Sequence, residues 1–154
     1  QTGTINPAQE HFISNLIRQK IIVATAQLPL PAKSAIRAMF YLPENELHEI
    51  GLLFHHYIAR KYGFRTYYLG QSVPHADLKV VYAVHKPHLI ITSFTSTPTP
   101  QALNGYLATI SADFSNSRIL ASGALLRKTS FHYPANLTVF ETAIELRDIL
   151  IKLK

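Results

Sequence analysis

The 154-residue chain has no cysteine, no tryptophan and a single methionine. Without cysteine there can be no disulfide, no thiolate zinc site and no cysteine nucleophile, and the composition fits a reducing, cytoplasmic setting. Charged residues make up only 16% of the chain and hydrophobic ones 47%, the balance of a domain that buries a core rather than of a disordered segment. No apolar run approaches the roughly 20 residues that a membrane-crossing helix needs. The opening "QTGTINPAQE" lacks the basic and apolar regions of a signal peptide. Because the chain starts on Gln1 rather than Met, it reads as a piece of a longer protein.

The positive excess is +6 with a pI near 9.7, which raises the question of nucleic acid. The basic residues are scattered, however: Arg18, Lys20, Lys33, Arg37, Arg60, Lys61, Arg65, Arg127 and Lys128, never more than two together. No basic helix or basic–aromatic ladder is present, so a basic soluble surface accounts for the charge better than direct nucleic-acid contact.

Apolar residues Phe12, Ile13, Leu16, Ile17 and Ile21 recur at helical spacing over 8–27, with Asn6-Pro7 as the cap. "LPLPAK" ends that helix, and its apolar stripe must pack on the domain or on helices outside the chain. From Ser34 onward strands and helices alternate. Strands are expected at 35–42, 64–70, 88–94, 117–123 and 136–140, and helices at 46–62, 74–86, 99–113 and 141–154. This order with short connections predicts an α/β fold: a five-stranded parallel, doubly wound (flavodoxin-like or Rossmann-like) sheet. Such sheets bind ligands at the carboxyl ends of their strands, so function is expected in loops 42–48, 70–74, 93–98 and 121–126.

The loop after the first strand, "PENELHEIG", has neither the glycine pattern of a dinucleotide site nor that of a P-loop. The metalloprotease pattern H-E-x-x-H also fails, because Leu52 stands where the second histidine belongs. His55 and His56 lie about 10–12 Å further along the helix, too far to share an ion with His48. What remains is Glu46-x-His48-x-x-Gly51. A carboxylate two residues before an imidazole can take the proton of one ring nitrogen and leave the other as a metal donor. Glycine in a helix costs about 1 kcal/mol relative to alanine, and here it leaves a flat place where something wide could approach. The same residues also suit an ordinary helix start, with Glu46 favouring the dipole and His48 in solvent. Ser93 and Thr95 end the third strand and Ser122-Gly123 the fourth, as hydroxyls and small residues that could line a site or simply cap and turn.

In this order, Glu46-x-His48-x-x-Gly51, Ser93-x-Thr95 and Ser122-Gly123 resemble the cobalamin-binding domain pattern, Asp/Glu-x-His-x-x-Gly, Ser-x-Leu/Thr, Gly-Gly. "GFRTYYLGQSVPHADL" resembles the second strand and loop of that family. The resemblance covers about 33–153, so 33–154 is expected to be the cobalamin-binding domain. It implies that His48 coordinates cobalt in place of the cofactor's own base (base-off, His-on), with Glu46 orienting it and Gly51 permitting close approach. It further implies that Ser93 and Thr95 line the slot for the displaced base and that Gly123 makes room for the nucleotide tail. Ser122 departs from the pattern, standing where the first of two glycines is usual. "GTINPAQEHFISNLIRQK" resembles the last helix of the cap in cobalamin-dependent MerR-type transcriptional regulators. Residues 1–30 are therefore expected to be the end of a helical cap, with Glu10 and His11 facing the upper ligand; a solvated helix start is the other reading of that pair.

The resemblance implies a sensory domain that catalyses nothing and binds adenosylcobalamin or methylcobalamin. DNA would be bound only through an N-terminal helix-turn-helix domain outside this chain; light is the signal in several members of the family, and homo-oligomer formation is left open. A corrinoid carrier of a methyltransferase or mutase shares the fold and the histidine. A cofactor-free interaction domain is the third reading, kept open by Ser122.

Overall fold

Asn6 starts the first helix by accepting a hydrogen bond from the Gln9 N–H at 2.9 Å, while the Gln9 side chain accepts from the Asn6 N–H at 3.1 Å. With Pro7 at the first helical position, this reciprocal cap sets the start of α1 (Pro7–Ala26). The computed structural model describes residues 6–127 and 133–154. In it α1 is followed by β1 (Arg37–Pro43), α2 (Glu49–Lys61), β2 (Arg65–Val73), α3 (His75–His85) and β3 (Leu89–Ser93). Then come α4 (Pro100–Asp113), β4 (Arg118–Ser122), a 3-10 turn at Ala124–Arg127, β5 (Leu137–Val139) and α5 (Ala143–Lys152). Residues 1–5 of the expected cap segment, with Gly3–Ile5 of its motif, and Lys128 lie outside the described residues.

All five strands pair in parallel, in the order β2-β1-β3-β4-β5. Both faces of each central strand must therefore be apolar, as the sequence of β1 is. Alternate β1 side chains enter two cores: Ala38, Phe40 and Leu42 join Leu52, Leu146 and Leu150 of α2 and α5. Met39 and Tyr41 join Leu78, Leu103 and Leu107 of α3 and α4. Full burial of each such large side chain contributes about 1.5–3 kcal/mol. The expected doubly wound sheet is the observed one. Its strand order reverses between β1 and β3, so the loops following these two strands meet at the switch point, where such folds bind ligands.

Two boundaries differ from expectation by three residues. The second helix begins at Glu49, not 46, because residues 43–46 form a turn first. The Glu46 N–H donates to Pro43 O at 2.9 Å, and Asn45 takes a left-handed φ of 67°. The second strand runs on to Val73 because β1 continues to pair with it, Pro43 opposite Val73, across two register irregularities.

Helix α1 lies on α2, outside the sheet layers. Its Arg18 guanidinium donates to Glu49 Oε1 at 2.5 Å, and Tyr68 O–H donates to Glu49 Oε2 at 3.3 Å, joining α1, α2 and β2. Arg60 donates to the carbonyls of Leu28 and Pro29 and so holds the connector. Most of the apolar stripe of α1 does not pack on the domain: Phe12, Ile13, Leu16 and Ile17 are exposed, and Ile21 is half-buried.

Candidate functional site

The site is organised by a carboxylate with no exposure at all. Glu46 is fully buried at the switch point, and an isolated charge there would be costly. Its oxygens are instead saturated by the loop that follows β3. Oε2 accepts from the N–H groups of Thr95, Ser96 and Thr97 at 2.9, 2.6 and 3.1 Å. Oε1 accepts from the N–H groups of Leu47 and His48 at 3.1 and 3.2 Å, and Ser96 O–H reaches both oxygens at 3.2 Å. Burial pushes the carboxyl upward, but hydrogen bonds from Ser96, from the His48 ring and backbone and from Thr97 outweigh it and hold the group down at about 2.

His48 sits at the N-cap of α2 without making a side-chain cap. Its Nδ1 lies 2.6 Å from Glu46 Oε1 while its side chain is 61% exposed. Glu46, ionised, can only accept, so Nδ1 carries the proton and Nε2 is the free donor atom. Nε2 has no hydrogen-bond partner among the described residues. The imidazole borders a cavity of about 650 Å³ lined also by Gly51, Ser93, Thr95, Leu47 and Gln71, and from α1 by Glu10, His11 and Arg18. Glu10 Oε2 and His11 Nδ1 are 3.0 Å apart, and Ser14 O–H donates to Glu10 Oε1. The structure thus brings residues of α1, α2 and β3 that the sequence singled out separately around one space.

Among the described residues no group of three or more His, Cys, Asp or Glu side chains could hold a metal ion. A metal bound at His48 would have to bring its other ligands with it. Gly51 has nothing within 4 Å of where a Cβ would stand, so its face of α2 is open to the cavity.

Ser122 and Gly123 lie apart from the cavity lining. Ser122 pairs in register with Ser93 and is almost fully buried. Gly123 has φ +118°, and a Cβ there would come 2.3 Å from Phe94 O. The close packing of the β4 and β3 ends requires a glycine there. Sequence reasoning missed Ser96 and Thr97, which with Thr95 form the cradle of Glu46. The signal was the dense hydroxyl run "TSFTSTPT", whose backbone and not its side chains does most of the binding. It also missed Arg18 and Glu49, whose pairing spans distant parts of the chain.

A parallel doubly wound sheet with an oriented imidazole over a cavity at its switch point defines a ligand-binding α/β domain. No family model matches the chain. It is 38% identical over 79 residues to the HTH-type transcriptional repressor CarH of Myxococcus xanthus, a match covering 51% of this chain and 25% of that repressor. It is 31% identical over 97 residues to the HTH-type transcriptional repressor CarA of the same organism, covering 63% of this chain and 33% of the repressor. The matches thus span between a quarter and a third of these repressors. The Methanosarcina barkeri monomethylamine corrinoid protein superposes with a TM-score of 0.69 over 96% of this chain and 71% of its own, at 17% identity, a likeness of fold. Together these matches bear out the resemblance to the B12-binding domain of MerR-type regulators. No described helix is long and apolar enough to cross a membrane.

Proposed function

We propose that this chain is the cobalamin-binding sensory domain of a MerR-type transcriptional regulator, with His48 as the lower axial ligand of cobalt in a base-off, His-on arrangement. The observation that carries this reading is the Glu46–His48 pair at the switch point: a buried, ionised carboxylate fixes Nδ1–H and leaves Nε2 free on a residue that borders a cavity. One imidazole with no companion ligands suits a metal that arrives in its own macrocycle.

In this reading His48 would hold the cobalt, and Glu46, by accepting from Nδ1–H, would keep the ring aligned. Gly51 lets the corrin come close to α2, and Ser93, Thr95, Ser122 and Gly123 belong to the tail side. Glu10 and His11 on α1, the last helix of a cap formed by residues 1–30 and what precedes them, face the upper ligand. When bound, the cofactor, adenosylcobalamin or methylcobalamin, supplies a cobalt–carbon bond that light can break. The domain binds and reports rather than catalyses. DNA is contacted by a helix-turn-helix domain elsewhere in the regulator.

A visible absorption titration with adenosylcobalamin in the dark tests this. The wild-type chain gives a bound, base-off, His-on spectrum that His48→Ala abolishes; an unchanged spectrum in the variant removes His48 as ligand. The second reading, a corrinoid carrier for methyl transfer, draws on the fold of the Methanosarcina barkeri corrinoid protein. Methyl transfer to or from the bound cofactor by a partner methyltransferase would favour it.

A further inference from the structure

One buried polar group beside the cavity has no role so far. His55 lies one turn after Gly51 on α2 and is half-buried. Its ring meets Phe140 edge-on at 4.9 Å, and its Nδ1 is buried without a hydrogen-bond partner. An unpaired buried nitrogen costs roughly 1–3 kcal/mol, so the position needs an account. Phe140 N–H donates to Ala121 O at 3.0 Å, so the residue that His55 packs on stands beside the carboxyl end of β4. Ser93 and Ser122 face each other across β3 and β4. By strand alternation they share the sheet face of Ile91 and Leu120, which pack in one core with Phe140 and Leu52. Neither hydroxyl has a hydrogen-bond partner among the described residues. The two serine hydroxyls and His55 Nδ1, the last of them buried, are thus without a partner on the side of the sheet that α2 covers. Ser93 and Gly51 connect this track to the cavity.

We propose that His55 is a specificity-determining residue, whose Nδ1 hydrogen-bonds the nucleotide tail of the corrinoid when the tail enters between α2 and the ends of β3 and β4. This rests on the cobalamin reading. The partner is a neutral polar function of the tail, a ribose hydroxyl or a base nitrogen, since a phosphate would call for a cation there. Burial holds the ring down at about 4, so it is neutral at neutral pH and can donate or accept.

The test compares cobalamin with cobinamide, the corrinoid without the nucleotide tail, binding to the wild-type chain, His55→Leu and His55→Asn, followed by visible absorption. Dissociation constants and apo melting temperatures are both read. His55→Leu is expected to weaken cobalamin binding about 10-fold, the worth of one hydrogen bond, while cobinamide binding stays unchanged. His55→Asn, whose amide stands near the place of Nδ1, restores most of the loss. The apo His55→Leu protein melts about 2–4 °C higher, because an unpaired buried nitrogen is gone; a merely structural histidine would give the opposite sign. Unchanged cobalamin affinity in His55→Leu, or an equal loss for both corrinoids, overturns the proposal. Wild-type protein that binds both corrinoids equally well overturns the tail contact and leaves the cobalamin reading standing. Wild-type protein that binds neither removes that reading and this proposal with it.

Discussion

Glu46 Oε1 and His48 Nδ1 are 2.6 Å apart, one residue wholly buried and the other largely in solvent. The pair works like an anchored arm: the carboxylate is fixed by backbone donors from the loop after β3, and it in turn fixes the ring. Glu46→Gln keeps the size but replaces an acceptor oxygen by an NH2 that faces donors. It is expected to lower stability by about 2–4 kcal/mol in urea unfolding. Cobalamin affinity should fall about 10- to 100-fold without being abolished, the usual cost of losing a ligand's orienting partner. Affinity equal to wild type would show that His48 is not positioned by Glu46.

Two glycines of the pattern are expected to respond in opposite directions. Gly51→Ala meets open space in a helix and should stabilise the apo protein by about 0.5–1 kcal/mol while weakening cofactor binding. Gly123→Ala places a methyl against Phe94 O at a positive φ and should cost roughly 2–4 kcal/mol. Thermal unfolding of the two apo variants reads both signs.

The fold could be read from the sequence because its signals are local: continuous apolar strands, helical periodicity, Asn6-Pro7 at a helix start. Glu46, His48, Gly51, Ser93 and Thr95, far apart in the sequence, stand together at the switch point. How they act was less legible. Glu46 was expected within a helix, but its carboxylate is bound by N–H groups some 50 positions away, and no local pattern reports such a contact. The apolar stripe of α1 is exposed in this chain, so the residues that would explain it are not among its described neighbours. That Gly123 also has Phe94 O packed against it is a tertiary fact that spacing does not carry.

Arg18 ties α1 to the domain through Glu49, which is only 11% exposed. Arg18→Met leaves that carboxylate facing Tyr68 alone. The expected cost is about 1–2 kcal/mol, less than for a fully buried pair because Arg18 is itself 46% exposed. Helix α1 should then be cut faster by a protease while the sheet domain resists. Equal protease resistance of α1 in the variant would show that apolar contacts, not the ion pair, hold it.

Acid should destabilise the fold through two histidines of α2. Burial holds His55 down at about 4, and burial with a smaller contribution from Arg60 holds His56 at about 4, against an ordinary 6.5. Between these values the unfolded chain binds more protons than the folded one, so stability is complete above about 6.5 and falls as the pH drops toward 4. Each ring accounts for on the order of 2–3 kcal/mol. Urea unfolding from pH 7 to 4 should show this slope, reduced in His55→Leu; an identical slope in that variant would contradict the assignment.

The central claim is the bond between His48 and cobalt. The most direct test is the electron paramagnetic resonance spectrum of the cobalt(II) form of bound cobalamin, with unlabelled cofactor and protein labelled uniformly with nitrogen-15. Coordination by His48 predicts that the triplet splitting of each cobalt line, seen with unlabelled protein, becomes a doublet in the labelled protein and disappears in His48→Ala. A triplet that persists in the labelled protein would mean that the cofactor's own base still holds the cobalt, and would contradict the account.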